Sequence, residues 1–275
     1  MFGQHNAAAE RDVLLHELQG ISLQDISLEF HHTTTPVRAL DGIQLRMKKN
    51  EFVCVLGPSG CGKSSLLHII AGYVKPTTGT VHIDGTEHNK PDSKVGVVFQ
   101  HANLFPWLSI SGNIEFGLKM GKVRKAERKL RVKQYLQLVG LDHYASLLPH
   151  QLSGGMKQRA AIARTLATEP DIILLDEPFS ALDALTRESM QQHMREIWRQ
   201  TQKCLFFITH DVDEALLLAS RIIIMHPSPG RIVQDFDNPL HLKFADESFE
   251  HIRSTREFAE LRTFLFTQIA SHIKK

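Results

Sequence analysis

Cysteine is scarce in this sequence, and the three present, Cys54, Cys61 and Cys204, form neither an even set nor a CxxC pair. That excludes a disulfide framework and a thiolate zinc site, and it fits a reducing compartment. Charge of one sign is lacking as well: a formal net charge of +2 is far from the basic excess with which proteins hold nucleic acid. There is no long hydrophobic run. The most apolar stretch, Ala215 to Met225, has about half the length a bilayer requires and contains Arg221, so the chain is not expected to cross a membrane. The first twenty residues carry Glu10, Asp12 and Glu17 and no apolar core of signal-peptide length, so export is not expected either. Internal repeats and low-complexity segments are absent from the sequence.

What is present is ordinary globular material. With 42% hydrophobic and 23% charged residues, 275 residues suffice for one large α/β domain and a subdomain. The 16 histidines are scattered, and the adjacent His31 and His32 lie beside the turn-forming Thr33 to Pro36, so they read as solvated or packed rather than metal-binding. Short apolar runs recur at Phe52 to Leu56, Val95 to Phe99, Ile172 to Leu175 and Leu205 to Thr209, the mark of strands covered on both faces. Helical patterns separate them, and a doubly wound α/β sheet is expected. In such sheets ligands sit at the carboxyl ends of the strands. Gly57 to Ser64, Gln100, Asp176 with Glu177, and His210 each follow one of these runs.

Between Gln100 and Arg164 the strand signal disappears, and GLKMGKVRKAERKLRVKQYLQLVGL reads as helix, with Leu130, Tyr135, Leu138 and Val139 on or near one face. Lys119, Lys122, Arg124, Lys125, Arg128, Lys129, Arg131 and Lys133 crowd this insertion against Glu127 alone, which fits a solvated basic face or contact with phosphate groups. Beyond about residue 240, Phe258, Leu261, Leu265, Ile269 and Ile273 recur at helical spacing, a stripe expected to pack on the domain.

Gly57-Pro58-Ser59-Gly60-Cys61-Gly62-Lys63-Ser64 fits G-x-x-x-x-G-K-[ST] between a strand and a helix, the context a phosphate-binding loop requires. Its glycines let backbone N–H groups turn toward the β-phosphate, Lys63 neutralises β/γ charge and Ser64 reaches a magnesium ion. A chance match in this length has odds of about one in a hundred. A thiol at Cys61, beside a helix N-terminus, is expected to be thiolate-like and modifiable. Ile172 to Leu175 leads into Asp176, expected to hold magnesium, and Glu177, expected to polarise the attacking water. Gln100 is placed to touch the magnesium or the water, and His210 the γ-phosphate. In Leu152-Ser153-Gly154-Gly155-Met156-Lys157-Gln158-Arg159, Ser153 is a natural N-cap and the glycines expose N–H groups. One loop already holds one nucleotide's phosphates, so this second cradle suits a nucleotide on another subunit and predicts a head-to-tail dimer.

Taken together these residues resemble the ABC transporter ATPase family. GPSGCGKS resembles its Walker A, Gln100 its Q-loop, LSGGM its signature, IILLDE its Walker B, Ser180-Ala181-Leu182-Asp183 its D-loop and His210 its switch histidine. Met156 departs from the commoner glutamine and Ser65 from the commoner threonine; neither removes a phosphate ligand. The resemblance implies an α/β P-loop (RecA-like) core with a mostly parallel sheet, a helical signature subdomain at about 101–167 and antiparallel strands near the N-terminus. It implies an ATPase domain over 21–245, between an N-terminal extension (1–20) and a C-terminal helical tail (246–275), with ATP and Mg2+ as cofactors. The family's adenine-stacking aromatic falls near Phe30, which reads equally as a plain strand residue.

FQHANLFPWLSISGNIEFGL, PFSALDALTRESMQ, THDVDEALLLASRIIIM and HPSPGRIV resemble the importer branch that serves nitrate, sulfonates and taurine, and DESFEHIRSTREFAELRTFLFTQI resembles the taurine importers most. That implies a peripheral protein on the cytoplasmic face of the inner membrane, paired with a second copy of itself, bound to a permease and served indirectly by a solute-binding protein, with no nucleic acid. His101 to Trp107, with Phe105 and Trp107 expected at the surface, is the candidate permease contact; the same aromatics also fit a subdomain boundary.

Overall fold

In the computed structural model the chain is described over residues 20–30 and 36–270. His31, His32 and Ile273 lie outside these residues, as does nearly all of the N-terminal extension. Two sheets organise the rest. An antiparallel sheet carries β1 (Ile21–Phe30), β2 (Val37–Met47), β4 (Thr78–Ile83) and β5 (Thr86–Glu87) in the order β2-β1-β4-β5. A six-stranded sheet carries β3 (Phe52–Leu56), β6 (Val95–Val98), β7 (Ile172–Asp176), β8 (Cys204–Ile208), β9 (Arg221–His226) and β10 (Arg231–Asp237) in the order β10-β9-β3-β8-β7-β6. It is parallel throughout except for β10, which pairs antiparallel with β9 at the edge. Mostly parallel core and antiparallel N-terminal strands are both as expected.

The unbroken apolarity of the central strands follows from cover on both faces. Phe52, Cys54 and Leu56 of β3 enter one apolar cluster while Val53 and Val55 enter another, and β7 and β8 divide their residues in the same alternating way. The first cluster takes in most of the helical apolar residues, and the second joins residues of both sheets with Leu66, Leu67, Ile69 and Ile70 of the helix after β3. Each large side chain so buried contributes about 1.5–3 kcal/mol.

The helices, in chain order, are α1 (Lys63–Ile70), α2 (Ile110–Met120), α3 (Lys125–Leu138), α4 (Gly154–Ala167), α5 (Ala184–Thr201), α6 (Val212–Leu218), α7 (Pro239–Lys243), α8 (Phe249–Ser254) and α9 (Arg256–Ala270). The insertion expected as a single helix is two. Gly121 closes α2 by donating to the Gly117 carbonyl, and Lys122 turns the chain at φ 57° before α3 begins. The face of α3 departs from expectation at Leu130, which stands in solvent; Val139 is buried, Tyr135 and Leu138 are half-buried against the core, and Val132 and Leu136 join them. Two basic residues here are neutralised, Arg128 by Glu115 at 2.8 Å and Arg131 by Glu127 at 2.6 Å and Glu169 at 2.9 Å. The tail behaves as its spacing predicts. Phe258 and Leu265 of α9 are buried in the main cluster, with Leu261 and Ile269 packed against it.

Candidate active site

β3 ends at the carboxyl edge of the sheet and releases the loop Gly57 to Gly62, which opens α1. Gly62 sits at the N-cap with φ 91°, where a Cβ would come within 2.6 Å of Leu40 Cδ2, so conformation and packing both demand glycine. No side chain caps this helix start, which leaves its N–H groups free to meet an anion. Lys63 is buried; its Nζ donates to the carbonyls of Gly57 at 2.7 Å and Pro58 at 3.0 Å, so the ammonium lies across the loop it follows. Cys61 does not match expectation. It is fully buried, and burial pushes its thiol upward more strongly than Lys63, 3.7 Å away, pulls it down. A desolvated thiol of this kind is inert.

β7 delivers Asp176 beside the loop, where the Ser64 hydroxyl donates to Asp176 Oδ1 at 3.2 Å. Burial raises the Asp176 carboxyl, the Ser64 hydrogen bond opposes that, and the Glu177 charge adds to it. A hydroxyl and a half-buried carboxylate side by side form a hard-oxygen donor set that fits Mg2+. Glu177 adopts φ 44°, a left-handed conformation that costs a non-glycine residue about 1–3 kcal/mol and persists where the surroundings enforce it. Its N–H donates to the Ile208 carbonyl at 3.0 Å, and its carbonyl accepts from the Ser180 N–H and hydroxyl. So held, its Oε2 lies 3.0 Å from His210 Nδ1 at the end of β8. Gln100 is exposed just beyond β6, and Phe30 closes β1 opposite Val37, partly exposed.

Ser153 is the N-cap of α4, its Oγ accepting from the Met156 N–H at 3.3 Å. Ser153 and Gly154 are exposed, and Gly154 lines an open groove with Gln100, His101 and Ala181 but with no residue of the loop Gly57 to Ser64. A Cβ on Gly155 would come within 3.1 Å of Leu182, so the small residue lets this helix start sit against the D-loop. Asp183 caps α5 by accepting from the Thr186 N–H at 3.0 Å, which holds its carboxyl below the usual range. Phe105 is half-buried against Phe116, with ring centroids 4.5 Å apart, whereas Trp107 is 72% exposed. Only the tryptophan matches the surface position expected of both.

Several residues that shape this region carry no motif. Gln158 Nε2 donates to the Phe99 carbonyl at 2.9 Å, and Arg164 to the carbonyls of Asn103 at 2.8 Å and Ala102 at 3.1 Å, so α4 grips the segment after Gln100. Asn113, fully buried, accepts from the Phe105 N–H at 2.7 Å and donates to the carbonyls of Phe105, Leu108 and Ser109. Glu214 is buried behind His210, accepting from Gln191 Nε2 at 2.9 Å and from the Thr209 hydroxyl at 2.5 Å. Thr209 Oγ1 accepts in turn from the Asp211 N–H at 3.0 Å, so both neighbours of His210 are tied down.

A parallel sheet that ends in a glycine loop opening a helix, with two carboxylates on the adjacent strand but one, defines the class of P-loop nucleotide hydrolases. Residues 40–180 match the ABC transporter family. The chain is 47% identical over 227 residues to the taurine import ATP-binding protein TauB of Rhizobium johnstonii, covering 82% of this chain and 87% of that one. It is also 47% identical over 249 residues to the protein of the same name from Pseudomonas aeruginosa, covering 90% and 95%. Among solved structures, the dimeric ATP-binding cassette MJ0796 in a post-hydrolysis state with ADP and Pi superposes with a TM-score of 0.73 at 35% identity, over 79% of this chain and 98% of that one. The chain belongs to the ABC transporter family, as one of its ATP-hydrolysing, ATP-binding subunits. Among the described residues no helix is long and apolar enough to cross a membrane.

Proposed function

We propose that the chain drives taurine import through a separate permease, working on the cytoplasmic face of the membrane as a head-to-tail pair of identical subunits. The cassette, residues 21–245 with its helical part at about 101–167, hydrolyses ATP, and the permease carries the solute. The observation that supports this most is a pair of contacts at one sheet edge, Ser64 with Asp176 and Glu177 with His210, in a chain nearly half identical to taurine import ATP-binding proteins.

In this reading the N–H groups of Gly60 to Ser64 take the β-phosphate, and Lys63 exchanges the loop carbonyls for β- and γ-phosphate oxygens. Ser64, Asp176 and Gln100 would hold Mg2+, which when bound supplies positive charge against the phosphate oxygens. Glu177 orients a water and accepts its proton as the water oxygen attacks the γ-phosphorus. The bond to the bridging oxygen breaks, and ADP and phosphate leave. His210, oriented through Nδ1 by Glu177, directs its other ring nitrogen to a γ-phosphate oxygen. Ser153, Gly154 and Gly155 serve the nucleotide of the second copy, with Asp183 at the same junction, and Phe30 stacks on the adenine. The dimeric cassettes among the solved relatives support the pairing. The exposed Trp107 faces the permease.

The reading is tested by uptake of labelled taurine into vesicles holding this chain, its permease and its binding protein. ATP-dependent taurine accumulation is expected. Accumulation of nitrate or a simple alkanesulfonate with none of taurine would overturn the solute assignment.

A further inference from the structure

A second cavity, of about 230 Å³, lies away from the nucleotide loop, between the last turns of α5 and α6 and the short helices α7 and α8. Its walls are of two kinds. Leu217, Ile252 and Trp198, all buried, make an apolar floor. At the mouth stand Arg195, Arg199 and His241.

The two arginines at the mouth are held differently. Arg199 pairs with Asp246 and donates to the Ala245 carbonyl at 3.2 Å. Arg195 donates to the Glu247 carbonyl at 2.9 Å and lies over the Phe249 ring at 4.3 Å, and among the described residues no carboxylate forms an ion pair with it. The His241 ring meets Trp198 edge to face at 5.1 Å. Burial, followed by the Arg199 charge, lowers the Arg195 guanidinium against the opposing charges of Glu196 and Asp246. Burial, followed by the two guanidinium charges, lowers His241 as well. Two guanidiniums, one of them without a paired carboxylate among the described residues, thus place positive charge at the mouth of an apolar recess. An anion would relieve it, and the planar guanidinium forks suit a carboxylate or sulfonate head. The volume lies below that of a drug-sized pocket, which limits the ligand to a few heavy atoms.

We propose that this cavity binds a small organic anion, its sulfonate or carboxylate head held by Arg195 and Arg199 and its short apolar body laid against Trp198, Leu217 and Ile252.

The sequence holds two tryptophans, so Trp107→Phe in the full chain leaves Trp198, in the cavity wall, as the only indole reporter. Titration with butanesulfonate and with butyrate at constant ionic strength should change Trp198 emission saturably, with a dissociation constant in about the millimolar range or tighter. Inorganic sulfate, which lacks the apolar body, should bind more weakly. Arg195→Gln should weaken butanesulfonate by about tenfold or more, the worth of a charge-assisted hydrogen bond. Arg199→Gln, at a more exposed position, carries the same comparison if Arg195→Gln does not fold. An emission change no different from that given by sodium chloride would overturn the proposal. So would saturation that neither substitution shifts, or sulfate binding as tightly as butanesulfonate.

Discussion

Glu177 is the residue on which the proposed chemistry turns, and its backbone is held for it: the strained φ is enforced by hydrogen bonds to Ile208 and Ser180, not by glycine. Glu177→Gln keeps size and hydrogen bonding but cannot accept a proton at neutral pH. Hydrolysis should fall by about a hundredfold to ten-thousandfold with ATP binding retained, measured by phosphate release beside a nucleotide-binding titration. Glu214 is a different kind of carboxylate. Burial raises it in the folded protein, so over the span between the ordinary glutamate value and the raised one the native state binds more protons than the unfolded chain. Its contribution to stability is present in acid and is lost as pH rises through that span. Glu214→Gln should remove that pH-dependent loss, and Glu214→Ala should cost about 1–3 kcal/mol by leaving Gln191 and Thr209 without their acceptor. Urea unfolding at several pH values reads both. Glu177 and His210 were legible in the sequence because each directly follows an apolar run. The role of Glu214 was not, since Gln191 meets it only through packing of α5 on α6 and the Thr209 hydroxyl only across the turn that opens α6.

Elements hold the site through backbone carbonyls, which explains what the sequence hides. A phosphate loop is written in consecutive residues, since the turn itself demands glycine at Gly62, and a spacing rule finds it. Gln158, Arg164 and Asn113 hold the segment after Gln100 by its peptide groups, which carry no residue type and leave no pattern. The break at Gly121 was equally hidden: a glycine inside a basic, helix-favouring run reads as tolerated until a left-handed residue follows it. Asn113 tests how far the segment depends on these ties. Asn113→Ala removes four hydrogen bonds from a fully buried position and should destabilise the protein by about 2–3 kcal/mol. The Phe105 amide, which donates to Asn113, should lose its protection from hydrogen exchange, while amides in β3 and β8 keep theirs. Full protection at Phe105 in the variant would mean that Phe116 packing alone holds the segment.

At the scale of the whole molecule, one chain carries a phosphate loop at the sheet edge and a second anion-suited helix start, at Ser153, whose groove includes none of that loop. If each nucleotide is held by the loop of one copy and the Ser153 turn of the other, two differently damaged chains should repair each other. In a mixed dimer of a Lys63→Ala chain with a Ser153→Arg chain, one site combines both lesions and the other neither. Random pairing makes half the dimers mixed, so about a quarter of all sites should be intact. ATPase activity should appear on mixing two preparations that each lack it, and should rise and fall with the mixing ratio, greatest near equal amounts. Hydrolysis by the Ser153→Arg chain alone at the unmodified rate would place the Ser153 turn outside the nucleotide site. Absence of recovery on mixing, with mixed dimers demonstrated by differential tagging, would mean that each site draws its loop and its Ser153 turn from the same subunit.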